Sequence, residues 1–428
     1  MSKSRQLLDT ALHRLNAPDV DLGEVRHVDL TEEWINARGT EVEEVALSTS
    51  RGVGIRVLVN GAWGYAATSD PSPSAVSLCA DHALAMARQN TNRTHPSNTP
   101  PKLPEEGHYK TPMTQGYFDV SRAEKLDMLL AATEVLGADE RVVSATAKAL
   151  GLTRRTHLVT THGSDIEQEI EICGGGISAT AAAGGETQTR SFPKGTEGDI
   201  NAAGWEFVLG LDLVGKAERC REEAIALLSA PNCPTKRRTL IVDGAQLSLQ
   251  IHESCGHPIE LDRALGEEIS LAGCSFLRPE MLNDYTYGSP LVNLYADSTS
   301  KGGPGTFGWD DEGVPASRWD IVRAGQFVGY LGSRETASRV PNTVPGALRA
   351  DSWRSLPIVR MVNINLEPGD WTLEDMIADT EDGLLVSVNK SWSIDDFRLN
   401  FQFGCEAGWE IKDGAITQMV KNPVYTGI

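Results

Sequence analysis

The stretch Val53–Ala67, VGIRVLVNGAWGYAA, sets apolar, largely β-branched residues on either side of the pair Asn60-Gly61. The two central positions of a tight hairpin turn need positive φ, which Asn and Gly adopt most readily, so the stretch is expected to run strand, turn, strand. Val42–Ser48 reads as a further strand, while residues 2–16 and 71–90 carry helical periodicity. Sheet and helix are therefore mixed from the start of the chain.

Outward from this hairpin, residues 90–113 are rich in Pro, Thr and Asn, with Pro96, Pro100, Pro101 and Pro104, and read as a long surface connection. Helical periodicity returns over Ser121–Leu136. Strands follow to about Ala182, punctuated by Gly174–Gly176, read as a bulge or turn, and by Gly184–Gly185. One long helix is expected from Ala202 to Leu228. The run Ser229-Ala-Pro-Asn-Cys-Pro-Thr then breaks the pattern and marks the expected domain boundary. Beyond one helix, about Ala245 to His257, the rest is short strands and Gly/Pro turns, including expected hairpins over Ile321–Leu331 and Gly408–Val420, the latter turning at Asp413-Gly414. The expectation is an α+β fold: an N-terminal mixed domain over 1–232, then a mainly β, barrel-like domain over 233–428 that carries one metal-binding helix.

Composition narrows the function. The 428 residues carry 39 Lys+Arg against 59 Asp+Glu, a net charge of −20, and each half about residue 235 carries −10. An evenly acidic chain lacks the clustered Lys/Arg that phosphate neutralisation requires, so no nucleic-acid partner is expected. No stretch approaches the ~18 consecutive apolar residues of a membrane span, so no membrane partner is expected either. The N-terminal segment has no secretory apolar run, and the seven cysteines are scattered with no CxxC pair. Both features suit a reducing, cytoplasmic setting rather than a disulfide framework.

The chemistry is concentrated in Leu247–Leu265, LSLQIHESCGHPIELDRAL. It holds His252, Glu253 and His257, then Glu260 and Asp262. Two imidazoles suit a catalytic Zn²⁺, and a Glu beside the first of them can take a proton from metal-bound water. The spacing is unusual. On a regular helix at ~100° per residue, positions i and i+5 diverge by ~140°, so the two His can share one ion only if the helix carries a π-type turn or unwinds. Gly256 is expected to tolerate that distortion. Catalytic zinc normally has three protein ligands. Candidates for the third are Cys274, Cys405, which follows Gly404 in a strand-like run, or a carboxylate; Cys255 is sterically disfavoured within the motif.

The segment HESCGHPIELD resembles the HExxxHxxExD signature of the TldD/PmbA family of zinc metallopeptidases. The likeness extends to RGVGIRVLVNGAWGYAAT, GTFGWDDEGVP, VRMVNINLEPGD and FGCEAGWEIKDGAITQMVKNPVYTG, and so spans nearly the whole chain. The resemblance implies a zinc ion held by His252, His257 and Cys405, with Glu253 as general base. It further implies a peptide substrate and a homodimer, or a heterodimer with a related subunit lacking the metal motif. Glu260 and Asp262 are expected to orient the His ligands. Arg360 and Asn363 match a family motif without an assignable role. The competing readings are a peptide-binding or assembly subunit with a structural metal, and an amidase acting on a small modified substrate.

Other signals carry less. Gly210-x-x-x-x-Gly215-Lys216-Ala217 falls short of a phosphate-binding loop because Ala217 replaces the hydroxyl that would hold Mg²⁺. Asn92-Arg-Thr94 has only the form of a glycosylation site. No PCxxC is present for nucleobase deamination.

Overall fold

The computed structural model describes residues 3–91, 97, 99, 103–196, 198–269 and 273–428. Asn92-Arg-Thr94 lies outside them, as does part of the 90–113 connection. The N-terminal half is built on one eight-stranded sheet. Its strands are β1 (Val20–Arg38), β2 (Glu41–Val59), β3 (Ala62–Thr68), β4 (Glu106–Lys110), β5 (Val142–Thr160), β6 (Asp165–Ala183), β7 (Glu186–Phe192) and β8 (Asp199–Asn201). The order is β3-β2-β1-β5-β6-β4, with β7 and β8 also paired to β6. The Asn60-Gly61 hairpin forms between β2 and β3, with φ of 49° and 77° at the turn. All pairings are antiparallel except β4 on β6.

Helices cover one face in two groups. α2 (Pro73–Asn90) packs on β2 and β3, and α1 (Lys3–Leu15) on β1 and α2, so that Leu8, Leu15, Val76 and Leu84 share one core with Val53, Ile55 and Val57. α3 (Arg122–Leu136), α4 (Trp205–Leu211) and α5 (Leu213–Ser229) pack on β5 and β6. Alternate residues Ala145, Ala147 and Ala149 of β5 point into that second core. Their small size lets the helices approach the sheet, as period-2 alternation on a half-buried strand allows.

Three sequence expectations change here. The helix over 202–228 is two helices, because Asp212 adopts φ 53° and its carboxylate accepts the Gly215 N–H at 3.2 Å, capping α5. Gly174–Gly176 is no turn but the middle of β6. A Cβ at Gly174 would lie 2.1 Å from the Asp199 carbonyl, and one at Gly176 2.5 Å from the Gly198 Cα, so these glycines admit the β8 backbone. Finally, Glu106–Lys110 within the expected connection is a strand.

The C-terminal half contains β9 (Thr239–Val242), α6 (Gly244–Ile251), β10 (Leu294–Asp297), β11 (Arg318–Arg323), β12 (Gln326–Phe327), β13 (Leu331–Gly332), β14 (Val344–Pro345), β15 (Leu348–Arg349), β16 (Ile358–Val359), β17 (Asn363–Leu366), β18 (Asp382–Ile394), β19 (Phe401–Lys412), β20 (Ala415–Lys421) and β21 (Val424–Gly427). Both expected hairpins form, turning at Ala324-Gly325 and Asp413-Gly414 with positive φ. The barrel does not. Among the described residues the strands form a four-stranded sheet β12-β11-β10-β17, a sheet β20-β19-β18-β9 with β21 on β19, and two short pairs. Closure needs continuous staggered pairing around a ring, and here the longer strands β18, β19 and β20 pair within their own sheet while β10 to β17, two to six residues long, form separate small sheets.

The two halves are fastened through Asp311. Its carboxylate meets Arg26 of β1 at 2.9 Å and Arg154 of β5 at 3.2 Å, and accepts the Ala350 N–H at 2.7 Å. Burial pushes the Asp311 carboxyl up, but Arg26 and Arg154 outweigh it and bring the pKa down to about 2.

Candidate metal centre

α6 starts at a good cap, the Asp243 carboxylate accepting the Gln246 N–H at 2.9 Å, and runs as regular helix to Ile251. It then widens. His252–Gly256 is a π-turn, closed by the His257 N–H donating to the His252 carbonyl. This i→i+5 bond brings the two imidazoles onto one side, with ring centroids 4.7 Å apart and planes at 83°. One ligand atom from each of His252, Glu253 and His257 falls within 4.8 Å of the others. A short 3₁₀ turn, His257–Ile259, ends the segment at Pro258.

Two contacts stabilise the widened turn. Tyr287 donates its hydroxyl to the Ser254 carbonyl at 2.5 Å, satisfying a group inside the turn. Gly256 has an ordinary helical φ of −70°, so its role is not conformational freedom. A Cβ there would lie 2.1 Å from the Met361 Sδ, so Gly256 provides the space into which Met361 packs.

Burial and charge are graded across the group. His252 is exposed, whereas Glu253 and His257 are each 7% exposed. Although solvent reaches His252, the surrounding protein and then the His257 ring push its pKa below the usual range, which favours the neutral, metal-binding form. His257 Nδ1 lies 2.9 Å from Glu260 Oε2, so assigning the proton to Nδ1 leaves Nε2 free to ligate. Glu260 is fully buried. Its burial raises the carboxyl pKa, but the hydrogen bond to His257 and the charges of His257, Arg263 and Arg360 outweigh this and hold it below the ordinary value. Arg263, 1% exposed, bonds the same oxygen through Nε at 3.0 Å and Nη2 at 2.8 Å. Glu253 Oε2 accepts at 2.9 Å from Nη1 of Arg398, which lies on the loop that joins β18 to β19.

The structure does not bring every expected residue to this point. Asp262 touches neither His; its carboxylate accepts the backbone N–H of Arg263 at 2.8 Å and of Val359 at 3.0 Å, fastening β16. Its pKa is raised to about 7, by burial first and then by Glu268. Cys405 is also elsewhere. It is fully buried with Leu384, Val386 and Val420, against Cys233, Leu240, Val242 and Tyr425. The charged groups acting on it are Asp243, which caps the start of α6, then Glu406 and Arg190. Burial pushes its thiol up to about 12. Among the described residues, no cysteine joins the His252–Glu253–His257 group.

Two residues without an assignable role in the sequence acquire one. Asn363 Oδ1 accepts the Gly305 N–H at 2.7 Å, and its amide donates to the Asp297 carbonyl at 2.7 Å and to Thr306 Oγ1 at 2.9 Å. It therefore pins the Gly302–Gly305 loop that walls the cavity beside His252. The Arg360 guanidinium stands 4.0 Å from Glu260 Oε1. Arg398, Tyr287 and Met361 were not singled out in the sequence, because they lie well beyond the motif in the chain and only the tertiary fold returns them to it.

Comparison with known proteins covers the same ground. Residues 235–427 match the PmbA/TldA metallopeptidase C-terminal domain, residues 117–228 the central domain of that family, and residues 23–87 its domain 1. A protein of Methanocaldococcus jannaschii named a metalloprotease is 26% identical over 394 residues, spanning 92% of this chain and 84% of its own length. A zinc metalloprotease TldD homolog of Saccharolobus solfataricus is 24% identical over 178 residues, 41% of this chain and 38% of its own. A crystal structure from Thermotoga maritima, described as that of a candidate modulator of a DNA gyrase, superposes with a TM-score of 0.82 at 19% identity, over 99% of this chain and 92% of that one. At that identity the likeness speaks to the fold alone.

Proposed function

The chain belongs to the PmbA/TldD metallopeptidase family, and from that premise we propose that it is a zinc-dependent peptidase hydrolysing amide bonds of unstructured peptides. The observation that carries this reading is the π-turn, which sets His252 and His257 side by side with Glu253 next to the first of them. A borderline-soft ion held by neutral imidazoles is the natural occupant, and His252 and His257 would hold it. When bound, zinc would polarise the scissile carbonyl and acidify a water in its open position.

The chain's own residues would do the rest. Glu253, at hydrogen-bond reach of the same space, would take a proton and hand it to the leaving amine. Arg398 restrains the Glu253 carboxylate and balances its charge. Glu260 holds the His257 ring in one orientation. Exposed Phe397, next to Arg398 in the chain, and exposed Trp392 on β18 would offer apolar surface to a flexible peptide. A purely structural metal has no need of a base beside its ligand, which favours hydrolysis over the assembly-subunit reading.

Work with a second chain, identical or related, belongs to the same reading. Val42, Val45 and Leu47 are exposed on one face at the end of β2, where they pair with Ala37, Ile35 and Glu33 of β1. Such an apolar cluster suits a partner surface. The deciding experiment measures zinc content and hydrolysis of an unstructured peptide library for wild type and Glu253→Gln, alone and with any co-purifying subunit. Retained zinc with activity lost supports the reading; retained zinc with full activity would falsify it.

A further inference from the structure

A second cavity, of about 750 Å³, is lined in part by Asp262 and Glu268, which follow the metal-binding turn in the chain. Its lining combines the acids Asp262, Glu268, Glu312 and Glu335 with the apolar Leu348, Leu356 and Val359. The cations on its lining are already engaged. Arg56 bonds Glu24 at 2.6 Å and stands 3.7 Å from Glu312, and Arg339 pairs with Glu267. Glu335 is met by neutral donors, Trp63 Nε1 at 2.8 Å and Ser97 Oγ at 2.5 Å.

Glu268 stands out among these groups. It is only 6% exposed, yet neither carboxylate oxygen receives a hydrogen bond. The cation recorded against it is Arg263 Nη2 at 3.6 Å, and that same nitrogen donates to Glu260 at 2.8 Å. Thr99 Oγ1, also on the lining, is likewise buried without a partner. A buried carboxylate with unfilled acceptors is costly unless a cation or donor reaches it. A divalent-metal cage is not the answer: among the described residues, the only group bringing three ligand atoms within 4.8 Å is the one at His252.

We propose that this cavity is a binding site for an organic cation on an aliphatic stem, the chemistry of an arginine or lysine side chain. The head would take Glu268 and the neighbouring acids, and the stem would lie on Leu348, Leu356 and Val359. The site is joined to the metal centre by a chain of contacts: Glu268 to Arg263 at 3.6 Å, Arg263 to Glu260 at 2.8 Å, and Glu260 to His257 at 2.9 Å. An occupant would therefore sit at the far end of the ion-pair chain that orients His257.

The test reads binding rather than turnover, so it stands or falls independently of the peptidase reading. Calorimetric titrations of the full chain would use agmatine, acetyl-Gly-Arg-Gly-amide and its citrulline counterpart, which has the same shape without the charge. Saturable binding of agmatine or of the arginine peptide, at least tenfold tighter than the citrulline peptide, supports the site; which of the two binds tighter identifies a free cation or a peptide side chain as the source. Glu268→Gln should weaken that binding at least tenfold with zinc content unchanged. Should that variant fail to fold, Glu335→Gln, a half-buried position, should weaken it in the same direction. Equal affinity for the citrulline peptide, no binding of either cation, or wild-type affinity in a folded Glu268→Gln protein would each overturn the proposal.

Discussion

The Nδ1 of His257 lies 2.9 Å from Oε2 of Glu260, and that same oxygen accepts two hydrogen bonds from the buried Arg263. One carboxylate thus fixes a would-be metal ligand and neutralises a cation that is fully enclosed by protein. Removing its charge strikes the metal centre and the fold by separate routes.

For Glu260→Gln the expected outcome is a zinc affinity lowered by roughly 10- to 100-fold, the usual cost of losing a group that orients a His ligand. Competition with a chromogenic chelator measures it. Stability should also fall, by roughly 1.5–3 kcal/mol, because Arg263 loses its charge-assisted hydrogen bonds to Glu260 and keeps the more distant Glu268 carboxylate at 3.6 Å. An unchanged zinc affinity in a folded variant would show that Glu260 does not set the His257 ring.

Gly256→Ala should destabilise the protein by roughly 1–3 kcal/mol, the range for overpacking, since its methyl would stand 2.1 Å from the Met361 sulfur. Adding Met361→Ala should recover part of that loss. A double-mutant cycle by urea denaturation reads the coupling. Strict additivity would mean that the π-turn does not depend on this contact.

Cys405→Ala should leave zinc affinity at the wild-type level, with a stability loss on the order of 1 kcal/mol for a small buried side chain. The thiol belongs to the apolar cluster around Leu384 and Val386, away from the His pair. A tenfold or greater drop in affinity by the same chelator assay would bring Cys405 back into the metal shell.

The Asp311 clamp carries a pH dependence. Its folded pKa, about 2, is below the ordinary 3.8, so its contribution is fully present above about pH 4 and is lost as pH falls through 2. The shift corresponds to roughly 2–3 kcal/mol at neutral pH. Wild type should therefore lose stability over that window more steeply than Asp311→Asn, which should start lower at pH 7. Denaturation midpoints between pH 2 and 7 check the slope; parallel curves would remove Asp311 as the source.

What the sequence by itself determined was local in origin. Positive-φ residues at Asn60-Gly61 and Asp413-Gly414 announce their hairpins, because turn geometry depends on two adjacent residues. The i,i+5 spacing of His252 and His257 demands a π-turn, because helix geometry fixes where side chains point. The 19-residue strand β1 was not legible: its mixture of acidic, basic and apolar residues gives no clean period, and its pairing with β2 and β5 comes from partners distant in sequence. Tertiary structure alone decided the surroundings of the metal centre. Asp262 and Cys405 lie within motifs that resemble a catalytic set, but their side chains are claimed by the Val359 N–H and by an apolar core. Arg398, Met361 and Asn363 reach the site from up to 145 positions away. Motif spacing carries only what the backbone between two residues can transmit, and a contact formed by chain return leaves no such trace.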